Sequence, residues 1–210
     1  NGKTTQIANH KTKDGKNVAQ KIRTAGKNFS VRGAIKEAGL YGQWLWRDSG
    51  KNVTIVEGEL DALSMSQAFD HKWPVVSLKT GAAGAKRDIK QAIEWLEGFE
   101  SVVFMFDNDE AGTKASVECA NILPVRKAYI AKLPMKDAND LLVANLGAKI
   151  IDSFWEAKAF SPVGIVEGVD TKDLLLKDAY VESIPYQWNG LNQKLNGISE
   201  EITPKNIFNV

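Results

Sequence analysis

Cysteine is almost absent from this chain. Cys119 stands alone among 210 residues, which excludes an internal disulfide framework and a structural zinc site built on several thiolates. The two histidines, His10 and His71, lie far apart in sequence and offer no metal cage of their own. A reducing, intracellular setting is expected. No apolar run approaches the roughly 20 residues that cross a bilayer, and the N-terminus lacks the apolar stretch of a signal peptide. Charge of one sign is missing too: 27 Lys and Arg against 26 Asp and Glu leave a net charge of +1. Any nucleic-acid site must therefore be a local patch. There is no GxxxxGK[ST] phosphate loop, Gly2-Lys3-Thr4 matching only its tail, and there is neither an internal repeat nor a low-complexity tract. The chain starts at Asn1 rather than methionine, and a fragment of a longer protein is expected.

What is present is ordinary globular material, 43% hydrophobic and 25% charged, long enough for one or two domains. Gln6 to Gln20 contains Asp14-Gly15 between weakly alternating segments, a hairpin signal. It runs on through Lys21-Ile22-Arg23 to Lys27, the densest cationic cluster with a defined local structure. On a strand Lys21 and Arg23 face the same way. Such a cluster suits phosphates, although solvated surface lysines are the plainer reading. Leu40 to Trp46 is aromatic and is expected to pack one lobe against the next. From Lys51 onward strands and helices alternate with short joins, the pattern of a mostly parallel sheet covered by helices. Strands are expected at Val53–Val56, Pro74–Leu78, Val102 onward and Lys127–Ala131. Helices are expected at Glu59–Phe69 (Leu60, Leu63 and Ala68 inward), Asp88–Leu96, Ala111–Leu123, after Asp137 and over Ile150–Ala159. Ser161 to Gly164 reads as a linker, Thr171–Val181 as an amphipathic helix, and Ile184–Ile198 as loop-rich around Trp188. Three segments result: 1–48, 49–160 and 161–210.

The chemistry concentrates in Val102 to Gly112, VVFMFDNDEAG. A buried strand runs into two aspartates two residues apart, which leave an extended backbone on the same side. Helix capping accounts comfortably for one of Asp107 and Asp109, less well for both. Glu57 ends another strand in the same manner. If the two strands are neighbours, three carboxylates converge beyond the strand ends, where open α/β sheets bind ligands. Their mutual repulsion raises pKa values unless a cation is present. Magnesium, which takes oxygen ligands and keeps waters, resolves that conflict, and Asp137 can add a fourth acid. For Glu59 and Asp61, first-turn capping is the favoured reading.

These residues resemble the TOPRIM domain shared by primases, topoisomerases and some nucleases, through VTIVEGELDAL (Val53 to Leu63) and VVFMFDNDEAG. Pro74 to Leu78 with Gly81, KLPMKDAN (Lys132 to Asn139) and the basic segment from Gln20 to Phe29 narrow the resemblance to the primase portion of bifunctional phage primase-helicases and their mitochondrial helicase relatives. It covers Asn1 to about Ala159, and more weakly Pro185 to Ile198. The resemblance implies an α/β TOPRIM fold, a central mostly parallel sheet flanked by helices, preceded by a small N-terminal α+β subdomain. It implies that Glu57, Asp107 and Asp109 are catalytic, metal-associated acids joined by Asp137. It also implies that Lys21, Arg23 and Lys27 handle nucleotide and primer phosphates, and Lys79 and Lys86 are expected to touch DNA. Glu57 has also been proposed as a general base in this family.

The implied activity is metal-dependent synthesis of short RNA primers on single-stranded DNA from nucleoside triphosphates, with Mg²⁺, or Mn²⁺ in its place, in the cytoplasm of a phage-infected bacterium. The family's zinc module, which reads the template, and its helicase phosphate loop have no counterpart in these 210 residues. Neither sequence-specific priming nor unwinding is expected of them, and a monomer is. A TOPRIM nuclease and a non-catalytic DNA-binding scaffold are the rival readings.

Overall fold

In the computed structural model, residues 5–24, 28–162, 183–184 and 198–199 are described. The backbone falls into two compact units, Asn1–Pro162 and Val163–Val210. Of the second, the described part is a two-strand antiparallel pair, Ser183–Ile184 with Ile198–Ser199. The expected helix over Thr171–Val181 and the region around Trp188 lie outside the described residues.

The first unit opens with a three-stranded antiparallel sheet, β1 (Thr5–Lys11), β2 (Asn17–Thr24) and β3 (Asn28–Gly33). The Asp14-Gly15 turn joins β1 to β2 as expected, with Gly15 at φ 84°. Among the described residues of this part, helical structure is limited to 3₁₀ turns at Ile35–Glu37 and Gln43–Leu45. The segment between the sheets is stitched to the next strand layer. Tyr41 bridges Ser77, and the Trp46 indole N–H donates to the Val75 carbonyl at 3.1 Å.

A five-stranded sheet follows. Its elements in chain order are β4 (Gly50–Val56), α1 (Glu59–Ala68), β5 (Val75–Ser77), α2 (Ala85–Gln91), α3 (Ile93–Glu97), β6 (Phe99–Phe104), α4 (Glu110–Ala120), β7 (Ala128–Ile130), α5 (Ala138–Val143), α6 (Gly147–Trp155) and β8 (Lys158–Ala159). The strand order is β5-β4-β6-β7-β8, parallel except for β8. β4 and β6 are direct neighbours, Ile55 opposite Phe104. Their β-branched and aromatic runs are buried on both faces, as central parallel strands require. Alternation divides the core in two. Val102 and Phe104 join Ile89, Trp95, Leu96 and Cys119, whereas Val103 and Met105 join Met65, Phe69, Leu141, Ile150 and Phe154. Burial pushes the Cys119 thiol up to about 12, so it is an inert core residue.

Two expected helices differ in detail. Helix α1 turns Ala62, Ser64, Met65 and Phe69 inward, while Leu63 stands 54% exposed, because the face packed on β5, α5 and α6 carries Ala62, Met65 and Phe69. The expected helix at Asp88–Leu96 is broken at Ala92 (φ −98°, ψ 7°), and the break carries Trp95 into the core against Phe99, ring centroids 4.8 Å apart.

Candidate active site

The carboxyl ends of β4 and β6 deliver Glu57 and Asp107 side by side. Glu57 Oε1 accepts the Asp107 backbone N–H at 3.2 Å, a bond between adjacent strand ends. The first turn of α4 passes so close that a Cβ on Gly112 would lie 2.6 Å from Glu57 Oε1, and closer still to the Asp107 carbonyl. Only glycine fits there. Asp109 is the N-cap of α4, its Oδ1 accepting the Gly112 N–H at 2.9 Å. Capping therefore explains one aspartate of the pair, as expected, and Asp107 is the one it leaves over. Asp137 caps α5 in the same way, accepting from Asp140 N–H at 2.7 Å.

Electrostatics mark the cluster. Burial, followed by repulsion from Asp107, pushes Glu57 up to about 7. Burial and Asp137 push Asp107 to about 6. Asp61 joins them: burial and Asp137 raise it to about 7, although its Oδ1 accepts the Asn139 N–H at 3.2 Å. Reading Asp61 as a first-turn acid missed this. Its sequence position, in the first turn of α1 after the Gly58 N-cap, carries no signal that separates it from an ordinary first-turn acid. The one cation near Asp107 among the described residues is Lys136, with Nζ 4.0 Å from Oδ2.

At the start of α1 the picture differs. Glu59 is held below the usual carboxylate range: the His10 hydrogen bond and the Lys21 charge overcome its burial. Lys21 Nζ lies 2.9 Å from Glu59 Oε1, and both Lys21 and Arg23 lie over the ring of Phe29, at 5.5 and 5.6 Å from its centroid. Lys21 and Arg23 do share a face of β2.

Residues 54–142 match the family described as Toprim-like, and residues 1–33 match the N-terminal α+β fold of the bacteriophage T7 DNA helicase/primase. The DNA helicase/primase of enterobacteria phage T3 is 39% identical over 168 residues, 80% of this chain. The chain spans 30% of that relative's length. Among solved structures, the T7 primase fragment superposes with a TM-score of 0.69 at 39% identity, covering 74% of this chain and 64% of that one. A chain from the T7 lagging-strand polymerase assembly with the primase domains of two gp4 subunits gives 0.71 at 39% identity, over 76% of this chain and 81% of that one. The chain belongs to the Toprim primases of the phage primase-helicase type. The Mycobacterium tuberculosis primase DnaG shares the fold, with a TM-score of 0.59 at 18% identity over 73% of this chain and 55% of that one.

In this Toprim primase Lys86 is exposed on α2, while Lys27 lies outside the described residues. Lys79, expected to touch DNA, is buried in the structure. It is 4% exposed, and its Nζ donates to the Ala38 carbonyl at 2.8 Å and to Gln91 Oε1 at 2.7 Å. Its loop is pinned by Asp88, whose Oδ2 accepts from the N–H groups of Lys79 and Thr80 and from the Thr80 hydroxyl. The ammonium is thus a strut between the interlobe segment and α2.

Proposed function

We propose that this chain is the catalytic core of a DNA primase. It joins ribonucleotides into a short RNA primer on single-stranded DNA in a reaction that requires a divalent cation. The observation that carries this reading is the junction of β4 and β6, where Glu57 and Asp107 are hydrogen bonded to one another and both hold their protons too tightly for isolated carboxylates.

The donor set fits magnesium, with manganese as a substitute. It consists of carboxylate oxygens whose repulsion a cation would relieve. Among the described residues no three His, Cys, Asp or Glu side chains close into a cage. Magnesium commonly takes one or two carboxylates and leaves the remaining positions to water and substrate phosphates. Of Glu57, Asp107, Asp109 and Asp137, one or two would bind it directly and the others would face it through water. Bound there, a divalent cation would supply activation of the primer 3′-hydroxyl and charge neutralisation at the departing pyrophosphate.

The chain's own residues do the rest. Glu57 Oε1 is committed to the Asp107 amide, which leaves Oε2 for the cation or for the hydroxyl proton. Lys136 offsets the charge of Asp107 and, being half exposed, can withdraw to solvent. Lys21, Arg23 and Lys27 bind nucleotide and primer phosphates, and Lys86 the DNA backbone. The T7 primase domains were solved with an RNA/DNA hybrid and dTTP, which supports single-stranded DNA and nucleoside triphosphates as substrates here. We place the reaction in the host cytoplasm, with a monomer as the working unit and a helicase domain as partner in the full-length protein.

The test is incubation with single-stranded DNA, a preformed short primer, labelled nucleoside triphosphates and Mg²⁺. Primer extension is expected, and Asp107→Ala abolishes it. DNA cleavage in its place would identify a nuclease, and binding without product under any condition a scaffold.

A further inference from the structure

His10 is a polar side chain with 0% exposure, and the scheme above gives it no part. It sits on β1, where His10 pairs with Ala19 and Ala8 with Lys21. Cross-strand partners share a face, as do residues two apart, so His10 and Lys21 leave the sheet on the same side. Both reach one atom. Glu59 Oε1 accepts from His10 Nε2 at 3.1 Å and from Lys21 Nζ at 2.9 Å. An ionised carboxylate has no proton to give, so the hydrogen is on Nε2. The other ring nitrogen, Nδ1, is buried without a partner among the described residues, and Tyr41 packs on the ring at 5.3 Å between centroids. A buried polar atom left unpaired is costly, and an apolar side chain would avoid that cost. What the imidazole adds is one N–H on Glu59.

We propose that His10 is a positioning residue for Lys21: its Nε2–H fixes the Glu59 carboxylate, and Glu59 presents the Lys21 ammonium to the phosphates of nucleotide and primer. The proposal rests on the reading of Lys21 as a phosphate-binding residue. A lysine stem is long and flexible, and ordering it at the moment of binding costs entropy. A lysine already held on a fixed carboxylate has met most of that cost beforehand. Without the His10 hydrogen bond, Glu59 and Lys21 still pair, but the pair turns freely about its side-chain torsions. The ammonium then occupies a spread of positions. Affinity for phosphate falls, while Glu57 and Asp107 keep their own places.

The experiment reads the affinity of the chain for a fluorescently labelled RNA–DNA hybrid with a recessed RNA 3′ end, at low salt. His10→Leu should weaken binding about tenfold, the size of one hydrogen bond to a charged group. His10→Gln, whose side-chain amide reaches the Nε2 position, should restore it. Adding His10→Leu to Lys21→Ala should change nothing further, because the effect passes through Lys21. Should His10→Leu not fold, His10→Asn takes its place in the same cycle, since its shorter amide falls short of Glu59. Additive losses in the double variant, or a His10→Gln as weak as His10→Leu, overturn the proposal and leave His10 a packing residue. Unchanged affinity in Lys21→Ala sinks the reading of Lys21 and the proposal with it.

Discussion

Glu57, Asp61 and Asp107 each keep a proton that an isolated carboxyl would lose, at about 7, about 7 and about 6 against ordinary values of 4.5, 3.8 and 3.8. Their folded-state pKa values are raised, so between about pH 4 and 7 the native chain binds more protons than the unfolded one. Their contribution to stability therefore falls as pH rises through that window. The melting temperature of the metal-free chain should drop from about pH 5 to about pH 8. Added Mg²⁺ should raise it more at the higher pH, where the acids are ionised and repelling. A Mg²⁺ shift of equal size at both values would count against these acids as the cation site. Glu57 and Asp107 were legible in the sequence because strand ends advertise themselves. Asp61 was hidden because one acid in a first helical turn looks like any other. Nothing in the sequence marked Lys79 as buried, since its partners, Ala38 and Gln91, are distant in the chain.

The helix that begins at Asp109 carries two jobs in one residue, and substitution separates them. Asp109→Ala removes the cap on Gly112 and should cost about 1 kcal/mol in denaturant unfolding. Asp109→Asn keeps an acceptor in place and should leave stability nearly unchanged. If the same carboxylate serves the cation, both variants should lose primer extension by on the order of 100-fold. Activity retained in Asp109→Asn would reduce Asp109 to a cap. Gly112→Ala tests the same turn from the other side. Alanine favours a helix by about 1 kcal/mol, yet its Cβ must displace both the Asp107 backbone carbonyl and the Glu57 carboxylate. The Mg²⁺-dependent rise in melting temperature should shrink even where the fold survives. Most elements here were readable from periodicity, but β3 was not. Its six residues are all exposed, so it is a strand by pairing with β2 and carries no buried face for a pattern to betray. The break at Ala92 escaped for a related reason: Ile89, Ile93 and Leu96 fit one helix well, and only packing of Trp95 on Phe99 breaks it.

Across the whole molecule, charge is balanced, and nucleic-acid affinity has to come from a few placed cations. Five are expected from the sequence: Lys21, Arg23, Lys27, Lys79 and Lys86. Lys79, at 4% exposure, is set against the other four. Each phosphate neutralised on a single strand contributes about −0.7 to the slope of log affinity against log salt. Three or four contacts then give a slope of about −2 to −3, shallow for a DNA-binding protein. Lys21→Ala should flatten the slope by somewhat under one, because its charge meets phosphate directly. Lys79→Ala should leave the slope alone and instead lower the melting temperature, since it severs the tie from α2 to the Ala38 carbonyl and leaves that buried acceptor unpaired. Titrating binding of single-stranded DNA from about 50 to 200 mM salt, for the three proteins side by side, separates a phosphate ligand from a strut. A flattened slope in Lys79→Ala, with the melting temperature intact, would return that lysine to the DNA surface. The buried geometry around its ammonium argues for the opposite outcome.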